Sequence, residues 1–323
     1  MAEENEDPRE VPWHPRFAKD VVGHDAAKAH FIKAFSSGKP HHAWLLHGPK
    51  GIGKATLAYN VAVKVLGDTQ QTRHWVESRA HPDLFVLERQ LNDSKPRKLK
   101  AEIAVDDTRK LSDFFSRTAS GEWRVAIIDA ADDLSIESAN AILKLVEEPP
   151  AKALILLVSH QPGTLLRTLK SRCLRVPLAA LADVQTDNII NDLALEEKVQ
   201  TEELSRAITQ SKGSPGWALT LLHSVGAKAF AIFAEAGRLT PGNIASISAK
   251  LGGRGVAGDE FGTFTALLLN WVSERAKLQA SRSLAEAHAT ISTNARIAEG
   301  FNLDRRQAVA AQLTLINDAL KAS

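Results

Sequence analysis

The stretch Gly48-Pro49-Lys50-Gly51-Ile52-Gly53-Lys54-Ala55 constrains this chain more than any other. It follows a short apolar run, Ala43 to His47, and precedes Ala55 to Leu66, whose residues suit a helix. A strand, a glycine-rich turn and a helix in that order form an anion cradle. Glycines let backbone N–H groups curl around phosphate oxygens, and the helix N-terminus adds partial positive charge. The spacing matches G-x-x-x-x-G-K-[ST] except at its last position. Gly48, Gly51, Gly53 and Lys54 are therefore the candidate nucleotide-binding residues, with Lys54 as the point charge. The motif alone leaves open a glycine turn without a ligand. Where a hydroxyl would hold Mg²⁺ the chain has Ala55. Thr56 comes one residue late, which rotates its side chain by about 100° on a helix. It is a candidate, but a poor substitute.

Further apolar runs continue the alternation. Asp83 to Leu87, Arg124 to Asp129, Ala153 to Val158 and Leu174 to Leu178 read as strands. The near-continuous apolar character of the third and fourth suits central parallel strands. Ser138 to Glu148 carries Ala139, Ile142, Leu143 and Val146 on one helical face and stops at Pro149-Pro150. Strands separated by helices predict an α/β domain with a parallel sheet. Asp129, at the end of a strand, is the candidate metal-holding carboxylate, with a plain turn residue as the alternative. The next residue is Ala130, so the glutamate base expected for hydrolysis is missing. Asp132 and Asp133 are expected to cap the helix that follows.

The organisation expected is a flexible lead-in over 1–20, an α/β domain over 21–178, a small helical lid over 179–222 and an all-helical domain over 223–323. In the last, Phe264, Leu267, Leu268 and Trp271 form one apolar stripe, and Val309, Leu313, Ile316 and Leu320 another. Both read as core packing.

Charge and cysteine content narrow the function. Forty Lys and Arg against 38 Asp and Glu leave a net charge of +2. That argues against a purely electrostatic nucleic-acid binder. The one cysteine, Cys173, forms neither an internal disulfide nor a four-cysteine metal site, which fits a reducing, cytoplasmic setting. The longest apolar runs, Ala153 to Val158 and Ala229 to Ala234, are far short of the ~18 residues of a membrane span.

The helix Ser138-Ala139-Asn140-Ala141-Ile142-Leu143-Lys144-Leu145-Val146-Glu147-Glu148-Pro149-Pro150, followed some twenty residues later by Ser171-Arg172-Cys173, resembles the clamp-loader ATPases of the AAA+ class. His14-Pro15-Arg16-Phe17, Val22-Gly23-His24 and His81-Pro82-Asp83 fit the same family, and most of all the stator subunits of the bacterial DNA polymerase III clamp loader, the delta prime class. The resemblance covers about residues 11–222. It implies a P-loop AAA+ domain, a lid and an all-α collar used in oligomerisation. It also implies that Arg172 is an arginine finger, reaching the γ-phosphate held by a neighbouring subunit. A guanidinium suits that role because it is planar, always charged and donates in a fork.

Departures from the family pattern matter equally. Ser159-His160 stands where active members carry a Thr-Asn or Thr-Thr sensor pair. Gly216, in Gly213-Ser214-Pro215-Gly216-Trp217, stands where a second sensor would be arginine. The interval Gly67 to Ala80 holds no cysteine, so the zinc module of many members is missing and no zinc or other metal is expected. With Ala55, Ala130 and Gly216 together, ATP or ADP binding is expected to be weak or absent. The resemblance therefore implies a stator with little hydrolysis of its own, within a DNA-directed DNA polymerase holoenzyme that loads the sliding clamp onto primer-template DNA. Its implied partners are the motor (gamma/tau) and delta subunits, the sliding clamp, and DNA through the assembled ring, with no membrane. Lys144 and the cluster Lys95, Arg97, Lys98 and Lys100 are candidate DNA contacts, against a solvated surface as the plain alternative. An autonomous ATP-hydrolysing motor is the competing reading. A small-molecule P-loop kinase is a third, and it leaves the long helical C-terminal stretch and Ser-Arg-Cys unexplained.

Overall fold

The computed structural model describes residues 7, 9–38, 40–92, 99–194, 201–236, 239–252, 260–300 and 303–322. Five strands, β1 (Ala43–His47), β2 (Leu84–Glu88), β3 (Arg124–Asp129), β4 (Ala153–Ser159) and β5 (Leu174–Pro177), form one sheet among the described residues. Its order is β2-β3-β4-β1-β5 and every pairing is parallel. The strands expected from the apolar runs are all present, within a residue or two at the ends.

Both faces of the sheet are covered, which is why its strands are apolar almost throughout. Successive side chains point to opposite faces. Trp44, Leu46, Val125, Ile127, Leu154, Leu156 and Val158 enter one core with α1 (Asp25–Ser36) and α2 (Lys54–Val65). Ala43, Leu45, Ala126, Ile128, Ile155 and Leu157 enter the other with α4 (Val105–Ser116), α5 (Ile136–Glu147) and α6 (Arg167–Arg172). Trp44 is fully buried and stacks on Phe31 with ring centroids 3.9 Å apart. Its indole N–H donates to the His41 carbonyl at 2.7 Å. The interval Gly67 to Ala80 forms the short helix α3 (Gln70–Glu77), begun by the Thr69 hydroxyl accepting from Thr72 N–H.

The lead-in expected over residues 1–20 is not free where the structure describes it. Arg9 donates to Glu88 at 2.7 Å and to the Arg89 carbonyl at 3.0 Å. Pro15–Phe17 is a 3-10 turn whose Arg16 is buried, paired with Glu10 and laid over the Phe17 ring. Arg9 ties this segment to the end of β2, and the Ala18 and Lys19 carbonyls accept from Asn60 and Arg73. Residues 1–6 and 8 lie outside the described residues.

The chain divides into two compact units, Met1–Ala218 and Leu219–Ser323. The lid helices α7 (Asp183–Ala194) and α8 (Thr201–Ser211) fall in the first, and the division runs inside α9 (Pro215–His223) rather than at 222/223. The second unit contains α10 (Val225–Glu235), α11 (Pro241–Leu251), α12 (Glu260–Gln279), α13 (Arg282–Gly300) and α14 (Arg305–Lys321). Phe264, Leu267 and Leu268 are buried in it, as are Val309, Leu313 and Ile316. Trp271 meets Phe233 edge-on. Gln312, also buried, pairs with the Thr265 hydroxyl, so the polar pair in this core satisfies itself. No single helix among the described residues is long and apolar enough to cross a membrane.

The His81-Pro82-Asp83 motif has a structural reason. Asp83 is 2% exposed and its carboxylate accepts from Ser120 N–H at 2.9 Å and Gly121 N–H at 2.8 Å. The buried Arg124 guanidinium lies 3.6 Å away. The pair fixes the turn that launches β3. Asp83→Ala removes the counter-charge of Arg124, which keeps only the Phe114 and Thr118 carbonyls, and strands two amides; it is expected to lower unfolding free energy by about 3 kcal/mol, read from urea denaturation.

Candidate functional site

The glycine turn between β1 and α2 lies at the C-terminal edge of the sheet. That edge, where strand order departs from chain order, is where open α/β sheets bind ligands. Gly53 caps the start of α2 in a left-handed conformation, and the His24 ring donates from Nε2 to the Ile52 carbonyl at 2.6 Å. The Val22-Gly23-His24 motif thus braces the loop. Lys54 folds back over it. Its Nζ donates to the Gly48 carbonyl at 2.7 Å and to the Pro49 carbonyl, and the residue is 2% exposed. Burial pulls its pKa down to about 8, against the raising influence of Asp129 and Asp132.

A second contact closes the loop from the lid side. The Gly216 N–H donates to the Gly51 carbonyl at 2.9 Å, and the Ser214 hydroxyl donates to the Lys50 carbonyl at 2.8 Å. Gly51 has φ +78°, and a Cβ there would lie 2.5 Å from Ser214 Oγ; one on Gly216 would lie 2.9 Å from Gly51 Cα. Only glycine at both positions permits this approach.

Asp129 ends β3 with Glu88 directly opposite on β2. The residue keeps a solvent-facing edge, but its carboxylate is surrounded by protein. Burial first, and then the Glu88 charge, push its pKa up to about 6, against the lowering influence of Lys54. Glu88 itself is held by Arg9 and by Arg79 at 2.8 Å.

Asp132 does something the sequence did not suggest. Rather than capping the next helix, it accepts from the Ser159 hydroxyl at 2.7 Å, from His160 N–H and from Gln161 N–H at 3.2 Å. It fixes the loop after β4. The cap of α5 is Ser135, whose hydroxyl oxygen accepts from Ser138 N–H at 3.1 Å. Asp133 pairs with Arg89 at 3.1 Å. His160 is held near pKa 4, chiefly by burial and then by Lys54.

Gly48, Gly51, Gly53, Lys54 and Asp129 are gathered at one edge of the sheet. Thr56 sits half-buried further along the first turn of α2. The donor set fits a magnesium–nucleotide poorly. The residue after Lys54 has no side-chain oxygen, the lysine is spent on loop carbonyls, and Gly216 stands against the loop itself.

Arg172 lies elsewhere. It ends α6, just before β5, and Leu174 of β5 pairs with Trp44 of β1. Because the two strands are parallel, Arg172 emerges at the N-terminal edge of the sheet. Gly48 lies four residues beyond Trp44, roughly 13 Å along the strand at ~3.3 Å per residue. The guanidinium is exposed, donating to the Thr168 carbonyl at 3.1 Å and pairing with Glu147 at 2.8 Å. Cys173 beside it is buried, and burial pushes its thiol up to about 12, so it serves packing. Lys144 is exposed in an open groove of about 460 Å³ lined by Val105, Ser112, Glu137, Asn140 and Glu148 among others. Lys95, Arg97 and Lys98 lie outside the described residues, and Lys100 is exposed.

Sequence reasoning missed Glu88, Arg9, Arg79 and the role of Asp132. Their contacts join separate segments of the chain, and no periodicity marks them.

Residues 23–182 match the family model described as DNA polymerase III, delta subunit. The chain is 38% identical to DNA polymerase III subunit delta' of Pseudomonas aeruginosa over 145 residues, 42% of each chain. It is 30% identical to subunit delta' of Escherichia coli over 219 residues, 65% of this chain and 60% of that one. It is also 31% identical to subunit tau of Salmonella typhimurium over 200 residues, 59% of this chain and 30% of that one. The matches thus span about 30–60% of these relatives. Among solved structures it is similar to the RuvB Holliday junction branch migration motor of Thermotoga maritima, with 17% identity, a TM-score of 0.47 and 81% of each chain covered. It is similar too to a gamma subunit-related protein of the same organism, with 15% identity, a TM-score of 0.46, and 91% and 98% covered.

The raised pKa of Asp129 carries a sign that can be checked. An acid with a raised pKa binds more protons folded than unfolded, so its contribution to stability falls as pH rises from about 4 to about 6. Asp129→Asn is expected to be more stable than the parent by about 1–3 kcal/mol above pH 6. The advantage should vanish below pH 4, in paired urea titrations across that range.

Proposed function

We propose, for a chain that belongs to the DNA polymerase III clamp-loader family, that it is a stator subunit of the delta prime kind: it completes a neighbour's ATP site through Arg172 and hydrolyses little or no ATP itself. One observation carries this reading. The parallel β1–β5 register sends the phosphate loop and Arg172 out of opposite edges of the sheet, so an exposed arginine at that edge serves a second molecule rather than its own loop. The poor fit of the chain's own loop to a magnesium–nucleotide supports the division of labour. The neighbours are then the tau or gamma motor subunits, with delta completing the assembly. The complex loads the sliding clamp onto primer-template DNA in the cytoplasm. The groove at Lys144 is available to the DNA backbone, whose phosphates position a ring without specifying sequence.

A finger of this type supplies about 10³–10⁵ in rate where it acts on a phosphoryl group. In a reconstituted clamp loader, Arg172→Ala should therefore reduce steady-state, DNA-stimulated ATP turnover at the adjoining site by at least about a hundredfold, while gel filtration still shows intact assembly. Normal turnover at that site in the Arg172→Ala complex rejects the assignment. So does robust turnover by the isolated chain that Lys54→Ala abolishes.

A further inference from the structure

The sequence leaves the last turn of α5 short of a hydrogen-bond donor. A helix commonly satisfies its last carbonyls with N–H groups of the residues that follow, and the next-to-last helical carbonyl takes the N–H of the first residue past the cap. In α5 the cap is Glu148, so that carbonyl belongs to Val146 and the residue past the cap is Pro149, which has no N–H. Pro150 has none either. The donor comes from the approach to β1 instead: the His42 imidazole donates from Nε2 to the Val146 carbonyl at 2.8 Å. His42 is itself held from two sides. Its carbonyl accepts from Ile155 N–H of β4 at 2.7 Å, and its ring stacks on His41 with centroids 4.6 Å apart.

The turn capped in this way carries Glu147, which pairs with Arg172 at 2.8 Å. His42 and Arg172 each lie two residues before the paired Trp44 and Leu174, so both stand at the same edge of the sheet. Behind them Ala43, Val146, Leu169 and Cys173 share one core. We infer that His42 is a positioning residue for Arg172: through the end of α5 it sets where Glu147 stands, and so where the guanidinium is presented to a neighbouring molecule. This role rests on Arg172 serving a neighbour's ATP site.

The experiment has two arms. In the full chain alone, maleimide labelling of Cys173, the one cysteine, reads opening of the core behind the arginine. His42→Phe keeps a ring to stack on His41 and removes the donor, so the Val146 carbonyl is left unpaired and labelling should speed up by about tenfold. His42→Gln returns an N–H at similar reach and should bring the rate within about twofold of the parent. His42→Ala is a second donor-free variant in case His42→Phe fits poorly. In a reconstituted clamp loader that gel filtration shows intact, His42→Phe should lower kcat for DNA-stimulated ATP turnover by about tenfold, with KM within about twofold of the parent. His42→Gln should restore most of the loss. In the Arg172→Ala background His42→Phe should cost nothing further, because the group it positions is gone. General destabilisation would persist in that background.

The assignment is overturned if His42→Phe leaves Cys173 labelling unchanged, or leaves turnover intact where Arg172→Ala impairs it. It is equally overturned if His42→Phe costs the same factor with and without Arg172. Normal turnover in the Arg172→Ala complex instead rejects the finger, and the positioning role falls with it. The labelling arm separates that case, since it reports on the end of α5 with no neighbour present.

Discussion

The parallel pairing of β1 with β5 is the constraint on which the site's layout depends. It places Leu174 opposite Trp44 and Pro177 opposite His47. Everything that follows β1 then belongs to one edge of the sheet, and everything that precedes β5 to the other. The pairing is secured by burial: β1 lies between β4 and β5, and Trp44, Leu45 and Leu46 are closed off on both faces. A slip of one residue would turn Trp44 into the opposite core and Leu45 into its place. The separation of loop from arginine is therefore as secure as the core.

At the loop edge, charge is balanced mostly by fixed partners. Glu88 is neutralised by two arginines, while Asp132 is hydrogen-bonded by a hydroxyl and two amides and Lys54 by carbonyls. Asp129 is the exception. It sits beside Glu88 and its pKa rises to about 6, because neighbouring positive charge does not make up for lost water. Raised carboxylates often mark catalytic sites, but structural burial raises them too. Here the residue after it is alanine and the lysine opposite is occupied.

How much of this could be read from the residues depends on the range over which each contact acts. The strands were legible because a sheet covered on both faces demands nearly continuous apolar runs. The helix α5 was legible because Ala139, Ile142 and Val146 keep its period and two prolines end it. The glycine loop was legible because a phosphate-type turn needs glycine at fixed spacing. What could not be read were contacts joining distant segments. Arg9 and Glu88 are far apart in sequence, as are Lys50 and Ser214, and no periodicity links them. The lead-in looked free for that reason, since a polar segment shows its charges but not the carboxylate waiting for them. Asp132 looked like a cap because it precedes a helix, whereas the loop after β4 offered its carboxylate three donors.

The ion pair between Arg172 and Glu147 connects the ends of α5 and α6. Glu147 closes α5, in the run Glu147-Glu148-Pro149-Pro150, and Arg172 closes α6, in Ser171-Arg172-Cys173. Both side chains are about 40% exposed, so the pair is of the kind that contributes about 0–1 kcal/mol. A guanidinium locked in a buried pair would lose several kcal/mol on moving to a new partner. One held at the surface by a single carboxylate gives up little, and a polyphosphate offers it more charge and a better fork. Glu147 and the Thr168 carbonyl together hold the guanidinium at the surface. Buried Cys173 anchors the backbone immediately behind it. The arrangement combines an anchored base with a loosely held tip.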